Sequence, residues 1–170
     1  VKTVVLGGEQ LSGDHLNSLA NHYRPFLLTA HLCHDLREGE QDGQRMFLGD
    51  PMEIALAELA DQNGVATGNA DKLGEICFDA GRMRQSVIYA VDGSPLLLCK
   101  GAPEVIFARC SRVLHQGVAL PFTDQERCRY QQAQESLAEQ GMRVLALAYR
   151  SLEVSWQQGE ALEEDLILAG

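Results

Sequence analysis

The sequence predicts an α+β fold, a mainly antiparallel twisted β-sheet flanked by helices. Three observations carry this. Asp92-Gly93 and Gln116-Gly117 each separate two strand-like runs and read as hairpin turns. Asp50-Pro51 and Thr123 mark the starts of two well-patterned helices. The remaining helical segments stand apart from the strand-rich middle of the chain.

The elements follow in order. Residues 2–6 (KTVVL) read as a short strand ended by Gly7-Gly8. Ser12 is placed to cap a helix reaching about His22, with Leu16, Leu19, Ala20 and Tyr23 at helical spacing. Pro25 opens a second helix whose apolar run is Phe26, Leu27, Ala30, Leu32 and Cys33. Residues 37–45 (REGEQDGQR), polar and containing Gly, read as a loop. A patterned helix spans 50–62, and 64–71 (GVATGNAD) is another loop. Strands are expected over 73–78, 84–91 and 95–100, then a short helix over 103–110. Residues 112–115 and 118–120 flank the second hairpin turn. Thr123-x-x-Glu126 fits a capping box for a helix to about Gln140, with Gly141 as its stop. Residues 143–152 read as a buried strand, 153–165 are polar and acidic, and 166–169 begin one more strand.

The chain has 170 residues, 45% apolar and 22% charged. That suits one domain, residues 1–170, with its own core. Its 14 Lys+Arg against 24 Asp+Glu leave a net charge of −10. Nucleic acids and anionic membranes are poor partners for it, because phosphate backbones need clustered positive charge. An anionic ligand still fits if a few cations gather in one pocket. Lysine occurs only at Lys2, Lys72 and Lys100, so their positions matter. No run approaches the ~18–20 apolar residues that cross a bilayer. The start, VKTVVLGGEQ, lacks a signal- or transit-peptide layout and an initiator Met. Since it begins inside a strand-like run, a piece excised from something larger is expected. Five cysteines, at least 11 residues apart and without a CxxC pair, suit a reducing compartment.

Four segments carry candidate chemistry. In GDPMEIAL (49–56), Asp50 is a good N-cap, Pro51 a good first helical residue, and Glu53 stands where it can close a capping box. In FDAGRMRQSV (78–87), a strand ends in an aromatic residue before a turn bearing Arg82 and Arg84. The ring is either a core residue or a platform for a flat base, and stacking is worth roughly 1–3 kcal/mol per base. In KGAPE (100–104), Gly101 and Pro103 are explained by a turn into a helix. Lys100 at a sheet end is not, and it is a candidate phosphate or nucleotide contact. In GMRVLALA (141–148), Arg143 stands at the mouth of a strand. A fifth cluster, His31, Cys33, His34 and Asp35, puts two histidines one helical turn apart, but Cys33 points elsewhere and zinc sites draw on separated ligand pairs. No catalytic triad, nucleophile elbow or carboxylate pair is legible, so no catalytic residue is assigned.

In order and separation, GDPMEIAL, FDAGRMRQSV, KGAPEVIFARC and GMRVLALAYR resemble the nucleotide-binding (N) domain of cation-transporting P-type ATPases. The resemblance covers nearly the whole chain. VKTVVLGGE looks like the strand after that family's phosphorylation loop, and EEDLILAG like the strand that re-enters its phosphorylation domain. The resemblance implies an ATP-binding domain of an integral membrane protein, on its cytoplasmic side, partnered by the phosphorylation domain and other cytoplasmic domains of the parent. ATP, with Mg2+ in the intact pump, is the implied cofactor. By resemblance, Phe78 stacks on adenine, Glu53 accepts from its amino group, Lys100 lines the pocket beside Gly101, and Arg143 reaches the phosphates. Where the family carries a lysine five residues after the stacking Phe, this sequence has Met83, so Arg82 or Arg84 is left to substitute, with different reach and geometry. The turn residues Ala80 and Gly81 imply a looser loop. No phosphate-accepting DKTGT motif is present, which implies a domain that delivers the γ-phosphate without transferring it alone. Met83 also keeps open a degenerate domain that has become an interaction module. The pocket is expected to be a small positive patch on an acidic domain.

Overall fold

The computed structural model describes residues 1–170 apart from 13–15, 17–20, 42–43, 66, 68–69 and 158–159. Strands β1 (Thr3–Leu6) and β2 (Glu9–Ser12) form an antiparallel hairpin. Gly7 and Gly8 turn it with φ of 56° and 79°, a region that favours glycine. Ser12 therefore ends a strand instead of capping a helix, and most of the expected helix to His22 lies outside the described residues. Helix α1 (Arg24–Leu32) has Pro25 in its first turn and buries Phe26, Leu27, Leu28 and Ala30.

The expected loop at 37–45 is instead a hairpin, β3 (Arg37–Gln41) with β4 (Gln44–Leu48). Its described side chains are mostly exposed, so no apolar alternation marks it. Helix α2 (Pro51–Gln62) is capped by Asp50, whose carboxylate accepts the Met52 N–H at 2.8 Å.

The main sheet comprises β5 (Asp71–Asp79), β6 (Arg84–Val91), β7 (Ser94–Gly101), β8 (Cys110–His115), β9 (Val118–Pro121), β10 (Ala146–Ser151) and β11 (Leu166–Leu168). Its seven strands run in the order β5-β6-β7-β10-β11-β8-β9. Every neighbouring pair is antiparallel except β11 with β8. The predicted α+β class holds. At the two expected hairpin turns, both central residues have positive φ, as two-residue loops that match strand twist require.

Two helices complete the fold, α3 (Pro103–Arg109) and α4 (Asp124–Glu139). Thr123 Oγ1 accepts the Glu126 N–H at 3.3 Å, while the Glu126 carboxylate turns to Arg129 at 3.0 Å, so the box closes on one side only. One sequence expectation shifts at the C-terminal end. β10 starts at Ala146, not 143, because its partner β7 ends at Gly101, opposite Ala146, where the chain turns into α3. β11 lies inside this sheet between β10 and β8.

Strand alternation divides the core into two layers. Val87, Val91, Leu98 and Leu147 belong to the apolar clusters that include α1 and α2 residues. Ile88, Leu97, Cys99, Ala146 and Ala148 pack with Ile106 and Phe107 of α3 and Tyr130 of α4. The sheet is thus covered on both faces, and any residue's face follows from its register.

Candidate functional site

Register decides which of the candidate side chains can meet. Gln85 pairs with Lys100, and Arg84 with Gly101. Directly paired residues share a face and successive residues alternate. Gln85 and Lys100 therefore share the α1/α2 face, while Arg84 and Ser86 take the opposite one.

On the α1/α2 face, Lys100 Nζ lies 2.6 Å from Glu53 Oε1, with side chains only 8% and 17% exposed. The other carboxylate oxygen, Oε2, accepts the Asp35 N–H at 3.2 Å, and the Asp35 carboxylate accepts from Gln85 Nε2 at 2.9 Å. Glu53 is therefore not closing a capping box. Asp50 caps α2 by itself, and the third helical position aims Glu53 at the sheet. Cys33 sits beneath this group, its Sγ 3.6 Å from the Gln85 carbonyl oxygen, and burial pushes its thiol well up from the ordinary range.

Phe78 stands beside the same rung. Ile76 pairs with Ser86 and Asp79 with Arg84, so Cys77 and Phe78 together oppose Gln85 in a β-bulge. The Phe78 side chain is exposed, at 60%, in a domain whose other large apolar residues mostly line the core. The turn that follows is well knit. The Asp79 carbonyl accepts from Arg82 and Met83, and its carboxylate accepts the Arg82 N–H at 2.9 Å. Ala80 and Gly81 thus do not leave this loop loose. Met83 is exposed with φ of 50°, in the left-handed region.

Arg82 and Arg84 do not form a phosphate cradle here. Both guanidinium groups bond Glu163 Oε2, at 2.9 and 2.7 Å, and Glu163 is wholly buried. Arg84 is itself buried, on the face opposite Lys100, so the expectation of Arg84 as a substitute for the missing lysine is corrected. Arg82 is held by the same carboxylate. The expected positive patch is also corrected, since Lys100 is matched by Glu53 and the two arginines are anchored on Glu163.

Gly101 has a structural reason to be glycine. A Cβ there would lie 2.5 Å from the Met83 carbonyl oxygen and 2.7 Å from Arg84 Cβ. The Ala102 N–H bonds that same carbonyl at 3.0 Å. Arg143 is exposed in the segment before β10, where it lines a cleft of about 430 Å³. Met52 of α2 and Pro103 of α3 also line this cleft. Phe78, Glu53 and Lys100 do not line it.

The two histidines meet different neighbours. His31 Nδ1 lies 3.0 Å from Asp61 Oδ1, and His34 Nδ1 accepts the Leu36 N–H at 3.1 Å. Sequence reasoning missed Asp35 and Gln85 as neighbours of Glu53, and it missed Glu163 altogether. Gln85 was discoverable as the cross-strand partner of Lys100 once the Asp92-Gly93 turn set the register. Glu163 carries no local signal.

Residues 22–170 match the family described as the P-type ATPase cytoplasmic domain N. A calcium-transporting ATPase of Lactococcus lactis is 33% identical over 144 residues, covering 82% of this chain and 16% of that protein. A magnesium-transporting P-type ATPase of Salmonella typhimurium is 34% identical over 123 residues, 70% of this chain and 14% of the relative. Its Escherichia coli K12 counterpart is 38% identical over 125 residues, with the same two coverages, 70% and 14%. The chain thus spans only 14–16% of the length of these relatives. Among the described residues no helix is long and apolar enough to cross a membrane. The match runs from before α1 to the last residue, taking in the whole main sheet, so this chain belongs to the family of cytoplasmic N domains of cation-transporting P-type ATPases.

Proposed function

We propose that this domain binds ATP and, in a longer membrane-embedded parent chain, delivers the γ-phosphate to a phosphorylation domain. The observation that carries this reading is Phe78, an aromatic ring left 60% exposed beside the rung that holds Lys100. A purine needs an apolar face and one placed acceptor. Phe78 supplies the face, and Glu53 supplies a carboxylate for the adenine amino group. Lys100, 2.6 Å from that carboxylate, holds it in orientation. Gly101 lets β6 and β7 close up at this end of the sheet. Arg143, which makes no ion pair among the described residues, supplies the cation for the phosphates. Mg2+ would enter with the phosphate chain. The domain's part in catalysis is positioning, and phosphoryl transfer relies chiefly on positioning and charge stabilisation. The acceptor aspartate would belong to the partner domain.

Titration of ATP into the domain, followed by amide NMR, should move the signals of Glu53, Phe78, Lys100 and Arg143. Phe78→Ala should weaken binding roughly 5- to 150-fold, the equivalent of one lost stacking contact. Stability should change by no more than about 0.5 kcal/mol, because the side chain is exposed. Saturating ATP that left all four signals in place would overturn the site.

Met83 favours a second reading. It is exposed on the turn after Phe78, at the position where the resemblance expects a lysine. In that reading the domain has lost nucleotide binding and serves as an interaction module. Calorimetry on the wild type and on Met83→Lys separates the two. Binding seen only in the variant supports the second reading, and wild-type binding supports the first.

A further inference from the structure

We propose that Glu163 is a positioning residue for the nucleotide platform, acting through Arg82 on the backbone that carries Phe78. This inference deepens the ATP-binding reading and rests on it for its functional consequence.

Glu163 ends a short 3-10 turn, Glu160–Glu163, in the polar segment before β11. It is wholly buried, and both of its carboxylate oxygens accept hydrogen bonds. Oε2 accepts from Arg82 Nη1 at 2.9 Å and from Arg84 Nε at 2.7 Å. Oε1 accepts from Ser86 Oγ at 2.7 Å. Three residues of the turn and of the start of β6 thus converge on one side chain, 77 to 81 positions away in sequence.

The second arm of Arg82 reaches the site itself. Arg82 Nη2 donates to the carbonyl oxygens of Cys77 and Arg84, both at 3.2 Å. Cys77 directly precedes Phe78 inside the bulge, where neither residue has a ladder partner. The guanidinium therefore stitches β5 to β6 at the point where normal pairing lapses. Glu163 fixes that guanidinium in place. A planar fork is needed, since it must meet a carboxylate on one side and two carbonyls on the other.

Stability alone does not account for a carboxylate here. Apolar replacement of a buried ion cluster is often neutral or stabilising. Arg84 also keeps one buried donor, Nη2, without a hydrogen-bond partner among the described residues, so the cluster is not optimised for satisfaction. What it does specify is the direction of the Cys77–Phe78 backbone.

The test uses Glu163→Gln, which keeps the shape and loses the charge, and Arg82→Lys, which keeps the charge and loses the fork. Both are checked for an unchanged amide spectrum in α2, α3 and α4. Each should shift the Cys77 and Phe78 signals of the ligand-free protein and weaken ATP and adenosine alike by at least fivefold. In a Phe78→Ala background, Glu163→Gln should cost no further affinity. A fold-wide defect would not vanish in that background. Wild-type Phe78 signals and affinity in a folded variant would overturn the proposal, as would a loss that persists without the ring. If Glu163→Gln does not fold, Arg82→Lys decides. If the wild type binds neither ligand, the ATP reading fails, and the Phe78 shift in the free variants still decides the positioning role.

Discussion

Lys100 Nζ lies 2.6 Å from Glu53 Oε1, joining the last turnless residues of β7 to the first turn of α2. The pair is largely shielded from water, so neither charge can be released into solvent when the other is removed. Its existence also changes the character of the site. A lone lysine here would be an unmatched cation, whereas this lysine is already matched, and it orients the carboxylate that the proposed reading assigns to adenine.

Glu53→Gln should therefore destabilise the domain by about 3 kcal/mol, the scale for removing one partner of a buried pair. Lys100→Met should cost a similar amount. The double variant should lose less than the sum, with a coupling of about 1–3 kcal/mol. Urea denaturation of the four proteins measures this directly. Strict additivity would mean that the two side chains do not stabilise one another.

Gly101→Ala tests how closely β6 and β7 approach. The new methyl would meet backbone, the Met83 carbonyl oxygen at 2.5 Å, which cannot rotate away as a flexible side chain does. We expect a loss of about 1–3 kcal/mol, the usual scale of overpacking. Amide exchange should rise at Ala102, whose N–H bonds that carbonyl. An unchanged unfolding midpoint would show that the strand end yields freely.

The elements that were legible share one property: their signals are local. Asp50-Pro51, Pro25, Thr123 and the two hairpin dipeptides each act within four residues, and each sits where it was read. The β3–β4 hairpin was missed because β3 is polar and β4 shows no apolar alternation, although Asp42-Gly43 repeats the dipeptide of the recognised turn at 92–93. Ser12 misled because two glycines upstream folded the chain back before a helix could start there. Glu53 was ambiguous for a physical reason, since a carboxylate at that helical position suits a cap and a site equally. Only the register of β7 beside α2 resolves it. Arg82 and Arg84 looked like free cations because their counter-charge, Glu163, lies at the far end of the chain.

His34 gives the domain a pH dependence of definite sign. Burial holds its imidazole below the usual histidine value, with Lys100 acting in the same direction and Glu53 partly opposing. Its Nδ1 accepts the Leu36 N–H at 3.1 Å, which needs that nitrogen unprotonated. The folded state thus binds a proton less readily than the unfolded chain. The contribution is fully present above the unfolded value, about 6.5. It is lost as pH falls below that value and through the folded one, with a slope of at most about 1.4 kcal/mol per pH unit. Urea unfolding of the wild type and His34→Gln at pH 7.5 and 5.5 checks this. The wild type should lose more stability on acidification than the variant, because glutamine has no proton to take up. Equal losses in both proteins would place the acid sensitivity elsewhere.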